Sequence, residues 1–317
     1  MSHILIADKL APECRAVFDA ANFEVTEQPG MTPEELASVI GQFDGLVVRS
    51  ATKARGEAFW AAANKLKVVG RAGTGVDNID LAAASANGTW VMNTPGGNNV
   101  SAAEHAIALM MSMSRHVPQA SAEVTGGGWG KSKYKGVEVT GKTLAVIGLG
   151  AIGRIVADRG LGLRMNVMGY DPFVNQENAP EGVQMGELQE VLGQADYVSI
   201  HVPLNDHTRG LFNAERLGWM KPGARLVHAA RGGILVEADL LAALTSGHLA
   251  GAALDVFEVE PSTPDNPLFG LSNVIATPHL GASTHEAQVR VAVMVAEQIV
   301  TLLRDGEVIH NVNELAQ

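Results

Sequence analysis

At 317 residues the chain is longer than one ordinary compact core, so two domains are expected. Apolar residues at 46% and charged residues at 18% fit an ordinary α/β protein and exclude a largely disordered one, while a net charge of −11 argues against a nucleic-acid surface. Cys14 is the single cysteine, so no intrachain disulfide can form. MSHILIADKL lacks a basic leader and no uncharged apolar run reaches about 18 residues, so a cytoplasmic protein without a membrane span is expected.

Residues 1 to about 97 alternate short β-like runs (HILIAD, FEVTEQ, GLVVRS, KVVGRAG, TWVMN) with segments long enough for crossover helices. Thr32, Pro33 and Glu35 supply an N-cap, a proline at N1 and a carboxylate at N3, which announces a helix. Gly88, after LAAASAN, provides the positive φ that ends another. Five strands with alternating helices imply a parallel, flavodoxin-like sheet. From Asn99 to about Thr125 the pattern reads as one long buried helix, kinked at Pro118. GGGWGKSKYKG follows and reads as a mobile connection carrying Lys131, Lys133 and Lys135.

From Thr143 a second alternation begins, with candidate strands TLAVIG, NVMGYD, YVSIHVP, ARLVHAA, LAGAALDVF and NVIATPH and helices such as GELQEVLGQ and VEADLLAALTSG. Its first strand enters a turn with Gly148, Gly150 and Gly153 in G-x-G-x-x-G spacing, followed by a helical segment. In that motif the first glycine permits a tight turn, the second lets the backbone approach a pyrophosphate, and the third brings helix and strand together. The unpaired N–H groups and partial positive charge of the helix start bind the phosphates. Asp171, 18 residues after Gly153, ends the next strand, where a carboxylate accepts hydrogen bonds from a ribose diol and repels a 2′-phosphate. NAD is therefore expected over NADP. A last helix, roughly Ser283 to Leu303, should pack back on the first domain. The expected layout is residues 1–97 plus 285–317 as a substrate domain and 98–284 as a Rossmann NAD-binding domain inserted into it.

Open α/β sheets bind ligands beyond the carboxyl ends of their strands. The residues in that position are His201-Val202-Pro203-Leu204, Arg231-Gly232-Gly233, Glu258 and Glu260, His279, and Arg71-Ala72-Gly73-Thr74-Gly75. Each also has an ordinary structural reading: a loop histidine, a surface ion-pair arginine, two solvated carboxylates, a plain strand-to-helix turn. No metal site is read.

Seven strings, in order VVRSATK, VGRAGTGVDNID, NTPGGNNVSAAEH, LAVIGLGAIGR, YVSIHVPLNDHTRGLFNAERLGWMKPGARLVHAARGG, LDVFEVEP and TPHLGAST, resemble the D-isomer-specific 2-hydroxyacid dehydrogenases. They span residues 47 to 284. The resemblance is nearest to the members that interconvert 3-phosphoglycerate and 3-phosphohydroxypyruvate. It implies His279 as acid/base, Glu260 as its partner and Arg231 as the anchor of the substrate carboxylate. A histidine suits that task because its unperturbed pKa, about 6.5, allows both protonation states near neutrality, and a guanidinium offers a bidentate fork. The resemblance further implies cofactor contacts from Gly148, Gly150, Ala151, Ile152, Gly153, Asp171, His201, Pro203, Thr208, Ala229, Asp255 and Gly281. For substrate it implies Arg49, Ser50, Lys53, Gly73, Thr74, Gly75 and Lys131, the last with Lys133 as an alternative and with a neighbouring subunit as a source.

Three departures stand out. His228 occupies a place where the family usually has Asn, Asn98 and Asn99 have no assignable role, and the chain stops at Gln317, so regulatory domains and serine feedback are not expected. Hydroxypyruvate, glyoxylate or sulfolactate-type chemistry shares the same residues, and a dinucleotide-sensing corepressor-type scaffold shares the fold. His105, His116 and His248 read as structural. The family implies a homodimer or higher oligomer, with the helix from Asn99 as a plausible interface.

Overall fold

A computed structural model describes residues 1–315 and leaves Ala316 and Gln317, the end of the expected substrate domain, outside the described residues. The chain divides into two compact units, Met1–Asn98 with Ala282–Gln317 and Asn99–Gly281.

In the first unit, the described residues form a parallel sheet of β1 (His3–Ile6), β2 (Glu24–Glu27), β3 (Gly45–Val48), β4 (Val68–Arg71) and β5 (Trp90–Met92), in the order β2-β1-β3-β4-β5. Between them run α1 (Glu13–Ala20), α2 (Pro33–Val39), α3 (Glu57–Ala62) and α4 (Leu81–Ala86). The capping box at α2 is complete: Glu35 N–H donates to Thr32 Oγ1 and Thr32 N–H donates to Glu35 Oε2. Gly88 has φ 73, as the end of α4 requires. Leu5, Leu46 and Val69 pack on one face of the sheet with α2 and α3, while Ile4, Val47 and Val68 pack on the other with α1 and the long C-terminal helix. A parallel sheet covered on both faces needs such continuous apolar strands.

The second unit is built on a seven-stranded parallel sheet among the described residues, in the order β12-β11-β10-β9-β6-β7-β8. Its strands are β6 (Thr143–Ile147), β7 (Asn166–Tyr170), β8 (Val183–Met185), β9 (Tyr197–Ile200), β10 (Arg225–His228), β11 (Gly251–Leu254) and β12 (Val274–Ala276). The edge strand β8 is one more than the sequence announces. The stretch expected as one kinked helix is two, α5 (Asn99–Arg115) and α6 (Val117–Thr125). The break lies at His116, with φ 53, and Pro118 sits in the first turn of α6, where its missing N–H costs nothing. The following glycine-rich segment, expected to be mobile, is pinned: Tyr134 Oη donates to Glu123 Oε2 (2.6 Å) and Lys133 Nζ to both carboxylate oxygens (3.2 Å). The remaining helices of this unit are α7 (Ala151–Gly162), α8 (Leu188–Gln194), α9 (Ala214–Trp219) and α10 (Glu237–Thr245). The chain then enters α11 (His285–Asp305), capped by the Thr284 side chain and ended by Gly306 at φ 77, and buries Val291, Val295 and Ile299 in the first unit.

Candidate active site

The β6–α7 turn shows a distinct reason for each of its three glycines. Gly148 has φ 96, and a β-carbon there would stand 2.8 Å from the main chain of His201. A β-carbon at Gly153 would lie 1.9 Å from the Gly148 carbonyl oxygen, so the helix can dock on the turn only without one. At Gly150, the residue that precedes the first turn of α7, a β-carbon would meet no protein atom within 4 Å. That glycine therefore keeps open a space the protein does not fill, over N–H groups of Ala151, Ile152 and Gly153, and a pyrophosphate fits such a cradle. Asp171 directly follows β7 and accepts from Leu149 N–H (2.8 Å) and Phe173 N–H (2.9 Å).

Further along the same sheet edge, His201 follows β9, and its Nε2 lies 2.7 Å from Ser199 Oγ. Burial of this ring, with His228 beside it, pushes its pKa down to about 3, so it is a neutral lining group. Pro203 is exposed, and its carbonyl accepts from Thr208 Oγ1 within a short turn. Ala229 and Arg231 follow β10, and Arg231 Nη1 donates to the Ala230 carbonyl (2.7 Å).

The central pair is Glu260 and His279: Nδ1 of the imidazole lies 2.6 Å from Oε2 of the carboxylate. Glu260 Oε1 accepts from Phe257 N–H at 3.0 Å, which fixes the carboxylate in the loop after β11. Burial alone would raise Glu260. The hydrogen bonds from His279 and Phe257 and the charge of Arg231 outweigh it and hold the carboxyl below its ordinary range. With Nδ1 engaged, Nε2 is the ring nitrogen left to face a ligand. The ring remains 44% exposed, so it can reach a ligand.

Asp255, expected among the cofactor contacts, has no exposed surface. Its carboxylate accepts from Thr277 Oγ1 (2.6 Å), Leu280 N–H (2.7 Å) and Gly281 N–H (2.9 Å), and His105 Nε2 lies 3.1 Å away. Burial would raise this carboxyl too, and the bonds from His105, Thr277 and Leu280 bring it below the usual range. Asp255 therefore supports the loop that carries His279, with His105, expected to be structural, beside it; sequence reading missed this role of Asp255 because its partners are far apart in the chain.

In the first unit, Arg49, Ser50 and Lys53 lie in the loop after β3. Asp8 accepts from Arg49 N–H, and Asn78 donates to the carbonyls of Arg49 (2.7 Å) and Thr52 (2.6 Å). Ser50 and Lys53 are exposed. Gly73 has φ 149, and a β-carbon there would strike Arg71. Thr74 Oγ1 donates to Asn98 (2.8 Å) and the Thr74 carbonyl accepts from Asn93 (2.6 Å), so Asn98 does have a structural task. Gly75 follows in the same turn. Lys131 is exposed on the segment that Glu123 holds in the second unit.

The model of the D-isomer specific 2-hydroxyacid dehydrogenase NAD-binding domain matches residues 107–281. A D-3-phosphoglycerate dehydrogenase of Archaeoglobus fulgidus is 46% identical over 311 residues, 98% of this chain and 59% of that protein. The chain thus spans about three fifths of the length of that relative. A crystal structure of a Thermus thermophilus protein, 32% identical, superposes with a TM-score of 0.89 over 98% of this chain and 99% of the other. An NAD+-bound 3-phosphoglycerate dehydrogenase of Entamoeba histolytica, 28% identical, does so with a TM-score of 0.84 over 99% of both. NAD is the cofactor of the matched domain, and the cradle at Gly150 fits it. The chain belongs to the D-isomer-specific 2-hydroxyacid dehydrogenases.

Proposed function

We propose that this protein interconverts a small D-2-hydroxy acid and its 2-keto acid with NAD, and that the pair is 3-phosphoglycerate and 3-phosphohydroxypyruvate. The observation that carries the chemistry is the 2.6 Å contact between His279 Nδ1 and Glu260 Oε2. Bound NAD supplies or accepts the hydride. His279, protonated at Nε2, gives its proton to the substrate oxygen as negative charge builds there, and takes it back in the other direction. Glu260 orients the ring and stabilises the imidazolium, and Arg231 grips the substrate carboxylate with its planar fork. Asp171 receives the ribose hydroxyls, and Ala151, Ile152, Gly153, His201, Pro203, Thr208, Ala229 and Gly281 complete the nucleotide contacts.

The first unit serves as the substrate domain. Gly73, Thr74 and Gly75 offer main-chain N–H groups to an anion. Arg49, Ser50 and Lys53 supply the positive and polar groups that a second anionic group needs in an otherwise acidic chain. The relatives named D-3-phosphoglycerate dehydrogenase support this choice. Among the described residues no helix is long and apolar enough to cross a membrane. With a single, buried cysteine, a cytoplasmic protein is the reading we adopt, and a homo-oligomer is carried over from the family alone.

The test is oxidation of NADH and NADPH across glyoxylate, hydroxypyruvate, phosphohydroxypyruvate, sulfopyruvate and oxaloacetate. Fastest turnover of phosphohydroxypyruvate with NADH is expected. Preference for an unphosphorylated keto acid would overturn the substrate assignment, and no turnover with any of them would favour a nucleotide-sensing scaffold.

A further inference from the structure

His228 is a buried titratable group that the chemistry above leaves without a task. It ends β10 with 1% of its surface exposed, three residues before Arg231. Its Nε2 lies 2.9 Å from the Arg231 carbonyl oxygen. A carbonyl oxygen only accepts, so Nε2 carries the proton and the lone pair is on Nδ1. Nδ1 is buried and has no hydrogen-bond partner among the described residues, so a second proton there would be an unpaired donor inside the protein. Burial pushes the ring down to about 4 against the opposing pull of the Arg231 carbonyl, Glu260 and Asp255, and His201, just after the neighbouring strand, is a further titratable group beside it.

The peptide that His228 holds is confined from a second direction. A β-carbon at Gly232 would stand 1.7 Å from the Phe257 carbonyl oxygen, so the Arg231–Gly232 turn lies directly against that main chain. The same Phe257 donates its N–H to Glu260 Oε1. The main chain under Arg231 is thus seated between the imidazole of β10 and the backbone that carries the partner of His279.

We propose that His228 is a positioning residue: its Nε2–H fixes the Arg231 carbonyl and so sets the direction in which the guanidinium presents its fork to the substrate carboxylate. The inference rests on the reading of Arg231 as that anchor. Side-chain reach makes it testable. Gln carries its amide donor at the ε position, as this tautomer of His does, whereas Asn carries it one atom nearer the backbone.

The experiment compares H228Q, H228N and H228L with R231K, using the full-length chain and the 2-keto acid turned over fastest. For H228L we expect a KM for the keto acid raised about tenfold, the upper range for one hydrogen bond, with NADH affinity within about twofold of the parent. H228Q should recover most of the loss and H228N less. A parental KM in H228L, or a loss in H228Q equal to that in H228L, overturns the proposal. An unaffected R231K beside an impaired H228L would defeat the anchor reading instead, and an impaired R231K beside an unaffected H228L would defeat this inference alone. Independently of activity and of how the variants fold, 15N NMR of the histidine rings should show one resonance pair, lost in H228Q or H228N, in the neutral Nε2–H form from pH 8 down to about 5. An Nδ1–H tautomer, or protonation within that range, overturns it.

Discussion

Asp255 grips the main chain on both sides of His279 without touching its ring. The Asp255 carbonyl accepts from His279 N–H (2.9 Å), and its carboxylate accepts from Leu280 N–H, Gly281 N–H and the Thr277 hydroxyl. His279 needs such a grip because its φ of 55 lies in the left-handed region, which costs a residue with a β-carbon about 1 kcal/mol. The residue we propose as acid/base is thus held by a carboxylate that has no exposed surface.

Asp255→Asn keeps the shape but turns one acceptor into a donor facing N–H groups. A fall in kcat of about 100-fold and a loss of about 3 kcal/mol in stability are expected, the range for a buried charged hydrogen-bond network. Steady-state kinetics and thermal unfolding check it. A kcat within twofold of the parent would show that the loop holds itself.

His279→Gln removes the group we propose as proton donor and should lower kcat by about a thousandfold while leaving NADH affinity unchanged. Glu260→Gln removes the carboxylate that holds Nδ1 of the ring, so kcat should fall about tenfold or more while NADH affinity stays near the parent's. A kcat in Glu260→Gln equal to the parent's would contradict a working role for the pairing seen at 2.6 Å.

The glycines of the phosphate turn separate folding from binding. Gly150→Ala places a methyl in open space, so its thermal midpoint should stay near the parent's while NADH affinity falls about tenfold or more. Gly153→Ala drives a methyl against the Gly148 carbonyl and should cost about 1–3 kcal/mol in stability. Fluorescence titration with NADH and thermal melts of both variants decide it, and a Gly150→Ala variant that binds as the parent does would remove the pyrophosphate from this cradle.

Acid stability should carry the signature of His228. Its folded pKa, about 4, lies below the ordinary 6.5, so between these values the unfolded chain holds a proton that the folded one refuses. The contribution is intact above about pH 6.5 and is lost as pH falls toward 4, at up to ~1.4 kcal/mol per pH unit. The gap in thermal midpoint between the parent and His228→Leu should narrow from pH 7 to pH 5. A constant or widening gap would mean that the ring charges inside the fold.

The parts of this architecture that could be read from sequence are those whose cause is local. Thr32 and Glu35 cap α2 within one turn, and Gly148, Gly150 and Gly153 announce strand, turn and helix in a single string. β8 escaped because three residues, Val183–Met185, carry no alternation to detect and pair on one side only, with β7. Pro118 drew attention away from His116, the residue that actually breaks the helix. Of the site, His279, Glu260 and Arg231 could be singled out only because the strings around them resemble a known family, whose motif selects Glu260 over its neighbour Glu258. Their supports could not: Asp8 meets Arg49 across 41 positions, Asn98 meets Thr74 across 24, and Asp255 meets Gly281 across 26, with nothing in the local pattern to mark them.

The contact between Gly153 and the Gly148 carbonyl has a consequence for the energetics of nucleotide capture. Because the helix start is already jammed onto the turn, the amides that we propose face a pyrophosphate acquire their direction when the chain folds. An arriving dinucleotide then surrenders its own freedom while the polypeptide gives up almost none, so little of the attraction is consumed in ordering the receptor.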